Sequence, residues 1–260
     1  SACIRVNNWI AEVKEQIGIK YEGEPLKPFT RYDVEIEAVD DRGNNSTKCA
    51  EFMTGRKRLP WSGKWITDEM HVTEKPNSPR PLYFRRKIHL EKAVQESWIV
   101  VTAIGIFDVL LDGRRISEDY FSPGFTDYEH NLQYCCYRIG ELQEGDHELF
   151  VTVAAGWAVG RTTNISNTNQ SVSLLTADRQ ALLAEWYIVY KDGSREVVST
   201  DGAYEVTADG PYQYADFYDG EIYDARFKET DWKWRKADVI TPDIHPMIEA
   251  RYGEIGRAHV

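Results

Sequence analysis

Apolar and polar residues alternate along much of the chain with the period of two that is typical of β-strands. Residues 33–39 read Asp-Val-Glu-Ile-Glu-Ala-Val, and a turn-forming sequence at 40–43 separates them from a second apolar stretch at 49–52. A strand with one apolar and one polar face is typical of an antiparallel sheet that has one face in water. The pattern therefore predicts a β-hairpin across residues 33–52.

Two further hairpins are predicted later in the chain. Residues 97–104 are apolar almost without interruption and predict a buried strand. Just after them, an Asp-Gly pair at 112–113 lies between apolar runs, and this pair favours a tight hairpin because both turn positions need positive φ. The same chemistry recurs at 191–194 between two β-rich segments. Three hairpins at this spacing predict an all-β fold built from sandwiches.

Prolines and a basic run indicate the domain boundaries. The basic run lies at 56–58. The first segment, 1–56, ends there and is too short for a full seven-stranded sandwich, whereas 61–236 can form a larger one. Two prolines at 242 and 246 are typical of a connection between domains, so we expect 237–253 to begin a following β-domain. Residues 254–260 resemble the translation of a DNA-sequencing adapter, and we expect them to lie outside the fold.

Composition and charge exclude two classes of partner. The 260 residues include 31 basic and 42 acidic ones, a formal charge of −11 that repels nucleic acid. No stretch reaches the roughly 18 apolar residues of a membrane span, so membrane insertion is not expected. The chain has 8 Trp and 15 Tyr, which serve sugar-binding surfaces and β-sandwich cores alike, and both interpretations stay open.

Two groups of short motifs follow one another along the chain. The first group lies at 23–26, 31–32, 40–43 and 52–55, and the second at 61–66, 83–86, 111–115, 122–128, 155–157, 209–211 and 218–226. In this order the first group resembles the front fibronectin-III-like module of bacterial α-L-rhamnosidases, and the second resembles the N-terminal β-sandwich domain of that family. The fold implied is a truncated fibronectin-III/immunoglobulin-like sandwich followed by a larger antiparallel, jelly-roll-like β-sandwich.

The resemblance implies an inverting glycoside hydrolase that removes terminal non-reducing α-L-rhamnose from glycosides or polysaccharides. In this family the two catalytic carboxyl groups belong to a helical barrel that is C-terminal to these modules. We therefore expect no catalytic residue in the chain, and we expect it to pack against those C-terminal domains. The location stays open: it is the bacterial cytoplasm, or the periplasm or exterior if a signal peptide is missing from this sequence. The alternatives are a freestanding carbohydrate-binding module and a structural or adhesive pair of β-sandwiches.

The first candidate site is Trp157 with the Asn-rich segment that follows it. Some rhamnosidases use this domain as a calcium-dependent rhamnose-binding module, which would suit the amides of Asn164, Asn167 and Asn169. We expect no required cofactor, and the resemblance leaves open a Ca²⁺ in the β-sandwich domain. This sequence departs from the family, because Asn, Thr and Ser replace the usual Gly- and aromatic-rich stretch. The alternative is a surface loop.

The second candidate site lies within residues 216–226. Tyr218, Asp219 and Glu221 could form a sugar-binding or calcium-binding rim, because carboxylates accept hydroxyl hydrogen bonds or bind a hard cation. In the alternative, Arg226 pairs with a neighbouring carboxylate and the tyrosines cover the sandwich.

Overall fold

The protein is described here by a computed structural model that covers residues 2–15, 17–57, 59–71, 80–160, 177–217 and 220–251. It divides into two compact units, Ser1–Pro60 and Trp61–Val260. The regular secondary structure of the described residues is nearly all β-strand, arranged in mainly antiparallel sheets, as the sequence pattern predicts. No helix among them is long and apolar enough to cross a membrane.

The first unit contains four strands, β1 (Ala2–Val6), β2 (Trp9–Val13), β3 (Arg31–Val39) and β4 (Asn45–Met53). They form an antiparallel sheet in the order β2-β1-β3-β4. The predicted hairpin is confirmed as β3 and β4, which pair along their whole length. Alternation separates the faces: Val34 and Ile36 lie beside apolar residues of β1, whereas Arg5 contacts Glu35 and Glu37 on the other face.

The second unit contains fifteen further described strands and one short helix. The elements are β5 (Trp65–Thr67), β6 (Leu82–Leu90), β7 (Val94–Ile104), β8 (Ile106–Leu111), β9 (Arg114–Arg115), β10 (Asn131–Arg138), β11 (Gly145–Ala154), α1 (Gly156–Val159), β12 (Ala181–Tyr190), β13 (Arg195–Ser199), β14 (Glu205–Thr207), β15 (Tyr212–Asp216), β16 (Gly220–Tyr223), β17 (Arg235–Lys236), β18 (Asp238–Ile240) and β19 (Met247–Ala250), with 3₁₀ turns at Glu69–His71 and Glu229–Asp231. They form two larger sheets. The first has the order β18-β5-β12-β7-β10-β19, with β13 also paired to β12, and the second has the order β17-β14-β6-β11-β8-β9. Strands β15 and β16 form a separate pair.

The inner faces of the two larger sheets share one apolar core. Val101 and Trp186 of the first sheet lie in the same buried cluster as Phe84 and Val151 of the second. The outward-pointing residues of β7 are buried as well, including Trp98. Burial on both faces explains why this strand is apolar without alternation.

The two later hairpins are also confirmed. Asp112 and Gly113 join β8 to β9 with φ of 51° and 75°, the positive values that this turn requires. Between β12 and β13, Gly193 has a φ of 82°, and Asp192 accepts a hydrogen bond from the backbone N of Ser194 at 2.9 Å. Local turn chemistry therefore fixed these connections.

The segment 237–253, expected to begin a following domain, contributes strands to the second unit. β18 pairs with β5, and β19 pairs in parallel with β10. Arg235 stabilises the pairing of β18 with β5, because its guanidinium contacts the buried carboxylate of Asp68, next to β5, and that of Asp238 in β18. Thus the two prolines at 242 and 246 lie between two strands of one sheet. The segment 254–260 lies outside the described residues.

Candidate functional site

The position of Trp157 is set by the short helix α1, which the sequence pattern did not predict. Ala155, Ala158 and Val159 are fully buried in a second apolar cluster, and Trp157 packs against it. Gly156 has a φ of +54°, and a Cβ on it would lie 2.7 Å from Cγ2 of Ile106. Only glycine fits there, so close packing against β8 fixes the helix that carries the tryptophan.

Three aromatic rings gather around Trp157 and form with it what we call the aromatic surface, which consists of Phe121, Phe125, Trp157 and Phe217. Trp157 stacks on Phe217 with ring centroids 4.3 Å apart. Phe125 and Phe121 contact the tryptophan edge-on, at 5.7 and 6.2 Å. Phe121 remains 54% exposed and Phe125 67%. Large apolar side chains grouped at this exposure are typical of a recognition surface.

The structure brings part of the second predicted site to the first. Phe217 directly follows β15, and Glu221 lies exposed on the paired strand β16, opposite Ala215. The hairpin of the 216–226 segment is thus anchored on Trp157 through Phe217. Asn164, Asn167, Asn169, Tyr218 and Asp219 lie outside the described residues.

The end of the 216–226 segment matches the structural alternative in one respect and differs in another. Arg226 forms a two-point ion pair with Asp224, with N···O distances of 2.8 and 3.0 Å, which holds the pKa of this carboxyl down to about 2. Tyr223, however, is 54% exposed and does not cover the sandwich. Its side chain contacts Tyr212 across the two-stranded sheet instead.

Sequence reasoning missed Phe121 and Phe125, although residues 120–128 contain four aromatic residues. Both ends of this segment are fixed: the backbone N of Phe107 donates to the carbonyl of Ser122 at 2.7 Å, and the hydroxyl of Tyr128 donates to the carbonyl of Gly124 at 3.0 Å. The density of aromatic residues was the available signal. Their common exposure could be read only from the long-range contact with β8.

One group of candidate metal ligands occurs among the described residues, formed by Asp127, Glu129 and His130. All three are exposed, and the imidazole of His130 is hydrogen-bonded to Asp127 at 3.0 Å. Calcium takes six to eight oxygen ligands, and two carboxylates beside an imidazole do not supply them. This group does not fit the expected Ca²⁺.

Fold and surface together define a class, an antiparallel β-sheet protein that presents clustered aromatic rings beside a short buried helix. Residues 92–249, more than half of the chain, match the family described as "Alpha-L-rhamnosidase N-terminal domain". The chain therefore belongs to the α-L-rhamnosidase N-terminal domain family.

Named relatives agree with this assignment. An α-L-rhamnosidase of Formosa agariphila is 29% identical over 233 residues, which cover 86% of this chain and 25% of that protein. One from an Alteromonas species is 31% identical over 182 residues, covering 68% of this chain and 19% of that protein. The chain thus spans about a quarter or less of the length of these two relatives.

Solved structures show the same fold. The native α-L-rhamnosidase of Aspergillus terreus matches with a TM-score of 0.81 at 19% identity, covering 92% of this chain and 29% of that one. The α-L-rhamnosidase of Streptomyces avermitilis complexed with L-rhamnose matches with a TM-score of 0.78 at 17% identity, covering 96% of this chain and 42% of that one.

Proposed function

We propose that the chain is a non-catalytic part of an α-L-rhamnosidase that hydrolyses terminal non-reducing α-L-rhamnose from glycosides or polysaccharides. The matched relatives carry that name, and this chain corresponds to a minor part of their length. Its partners are then a rhamnose-containing glycan and the other domains of its own longer chain. The expected result is no turnover of a chromogenic α-L-rhamnoside by the 260 residues, and turnover above background would contradict the assignment.

The role we propose for the second unit is carbohydrate binding at the aromatic surface. The observation that carries it is the exposure of Phe121 and Phe125 around the Trp157–Phe217 stack. Aromatic rings offer apolar faces that match the C–H faces of a sugar ring, and exposing them to water without a partner is unfavourable. The polar groups of a sugar can be met by the exposed carboxylate of Glu221 on the adjoining hairpin.

Calcium enters the proposal through sequence alone. The amide oxygens of Asn164, Asn167 and Asn169 are the ligands we propose, because hard cations take oxygen donors. Binding is therefore to be measured both with calcium and with a chelator.

Calorimetric titration of the 260-residue chain with L-rhamnose tests the proposal. Binding is expected, and Trp157→Ala should weaken it about tenfold or more through loss of the ring that Phe217, Phe121 and Phe125 contact. Met247→Ala is a matched control, since Met247 is 65% exposed on β19 and lies outside the aromatic surface. Absence of heat under both calcium conditions would overturn the binding role.

For the folds of the two units we propose a fibronectin-III-like arrangement over residues 1–56 and a jelly-roll-like one over 61–236. In the first unit, the order β2-β1-β3-β4 corresponds to the C′-C-F-G sheet of such sandwiches. Tyr32 lies at the start of the strand equivalent to F, is 6% exposed, and accepts a hydrogen bond from the backbone N of Lys27 at 2.7 Å. A tyrosine bonded to backbone just upstream is the corner motif of this fold class.

A further inference from the structure

A cavity adjoins the aromatic surface and is not among the sites that the sequence pattern suggested. It has a volume of about 380 Å³, and Phe121 forms part of its wall. Its polar lining includes Asp108 of β8, Arg115 of β9, Asp119 and Tyr120. Phe121 thus belongs both to this cavity and to the group of rings around Trp157.

The polar groups of this cavity are held in a fixed arrangement. Nε of Arg115 donates to both carboxylate oxygens of Asp108 at 3.0 Å, and a terminal nitrogen donates to the backbone carbonyl of Asp119 at 3.1 Å. The side chains of Arg115 and Asp108 nevertheless remain 38% and 43% exposed. Donors and acceptors are therefore presented to solvent side by side, as sugar hydroxyl groups require.

The charges in the cavity are balanced. Asp108 is paired with Arg115, and the carboxylate of Asp119 lies 3.0 Å from the guanidinium of Arg251. A lining of paired opposite charges favours a neutral ligand that is rich in hydroxyl groups over an acidic or a basic one.

The aromatic wall of the cavity is exposed at a cost in energy. Tyr120 is 71% exposed, and the guanidinium of Arg115 lies over its ring at 5.0 Å, which leaves the opposite face to solvent. Phe121 has a φ of 57°, a left-handed conformation that is unfavourable for a residue with a Cβ. Strained residues of this kind cluster at ligand sites, where the surrounding structure holds them.

We propose that the cavity lined by Asp108, Arg115 and Tyr120 is a second sugar subsite, continuous with the aromatic surface through Phe121. The ring centroids of Tyr120 and Phe121 are 6.5 Å apart, and those of Phe121 and Trp157 are 6.2 Å apart, so ring contacts connect the cavity to the aromatic surface through Phe121. Three adjoining rings offer enough apolar area for at least two linked neutral sugar rings. The ligand is then a glycan chain rather than a single terminal residue, an inference that rests on the carbohydrate-binding role proposed above.

The test compares two probes on the 260-residue chain, L-rhamnose and a neutral trisaccharide that ends in α-L-rhamnose. The trisaccharide is expected to bind about tenfold more tightly than the monosaccharide, since it fills both subsites. Tyr120→Ala should abolish this difference while leaving the Kd for L-rhamnose unchanged, whereas Trp157→Ala should weaken binding of both probes. Met247→Ala is the control, and urea unfolding checks that each variant is folded.

The outcomes separate the two proposals. If the trisaccharide binds no more tightly than L-rhamnose, or if Tyr120→Ala weakens both probes equally, the second subsite is refuted and the rhamnose-binding role stands. If neither probe binds, the carbohydrate-binding role fails, and the second subsite fails with it.

Discussion

The buried carboxylate of Glu185 holds the segment that precedes β5 against β12, and replacing this residue tests how much the contact stabilises the second unit. This residue of β12 is fully buried and accepts hydrogen bonds from the backbone N and hydroxyl of Ser62, at 2.5 and 2.8 Å, and from the backbone N of Gly63 at 3.1 Å. The hydroxyl of Tyr187 donates a further hydrogen bond. These bonds fasten the segment that precedes β5 to an interior strand of the larger sheet.

The expected cost of removing the carboxylate follows from these bonds. A hydrogen bond to a charged group contributes about 1.5–3 kcal/mol, and an unsatisfied buried donor costs about 1–3 kcal/mol. The packing is close, since a Cβ on Gly63 would lie 2.9 Å from Oγ1 of Thr200. Glu185→Ala should therefore lower the free energy of unfolding by about 3–5 kcal/mol. Glu185→Gln keeps one acceptor oxygen and should cost about 2 kcal/mol.

Urea unfolding at pH 7, followed by tryptophan fluorescence, measures this difference. Glu196→Ala is the matched control, because Glu196 is an exposed glutamate on β13 that accepts a hydrogen bond from the hydroxyl of Tyr190. Its loss should cost less than about 1 kcal/mol. Equal effects of the two alanine variants would refute the claim that Glu185 anchors the segment.

The same carboxylate predicts a dependence on pH. Burial raises the pKa of Glu185, but hydrogen bonds from Tyr187, Ser62 and Gly63 outweigh it, and the pKa lies below its ordinary value of 4.5. A lowered pKa in the folded state means stabilisation that is present above the unfolded-state pKa and lost as pH falls through the folded-state pKa. The difference between wild type and Glu185→Gln should shrink below about pH 4.

Three further predictions concern other parts of the chain. Burial lowers the pKa of His147, but hydrogen bonds to Asp112 and to a backbone carbonyl raise it by more, so the net shift is upward. A raised pKa in the folded state means that the protonated histidine stabilises the fold. This stabilisation is full below the unfolded-state pKa and is lost as pH rises through the folded-state pKa. In the wild type, the urea midpoint should therefore fall as the pH rises from 6 to 8. Asp112→Asn keeps the turn but removes the carboxylate partner of His147, so this fall should become smaller. The same fall in both proteins would contradict this. Tyr32→Phe should destabilise the first unit by about 1 kcal/mol through loss of its backbone hydrogen bond, measured by hydrogen exchange of that unit. Gly156→Ala should cost more than about 1 kcal/mol in urea unfolding and weaken L-rhamnose binding, because the positive φ disfavours alanine; unchanged stability would show that α1 tolerates a Cβ.

The hairpins could be predicted from the sequence because their determinants are local. At Asp112-Gly113 the two turn residues need positive φ, and they lie between apolar runs whose period shows the strands. The family resemblance was also readable, since it depends on the order of short motifs along the chain. The position of β19 was not, because its parallel pairing with β10 joins residues more than a hundred positions apart.

Of the four rings in the aromatic surface, the sequence singled out only Trp157 as a candidate site residue. Composition could not separate the tryptophans, since Trp186 is fully buried in the core and Trp157 lies at a surface of aromatic rings. Exposure depends on what the rest of the fold places against each ring. The local sequence around Phe121 likewise contains no sign of its left-handed backbone, which arises where the bond from Phe107 holds the segment against β8.

If the aromatic surface served only the fold of this chain, its backbone strain and its exposed apolar rings would destabilise the protein with no compensating contact. Phe121 combines a strained backbone with a ring that is 54% exposed, and Phe125 is 67% exposed beside it. Replacement by a small polar residue would remove the exposed apolar area at either position, and glycine would also relieve the strain at Phe121. The apolar cluster beneath is already closed by the buried Ala158 and Val159 of α1. The two exposed rings therefore contribute little to the core, and their unfavourable exposure is explained if a ligand or another domain of the longer chain proposed above covers them.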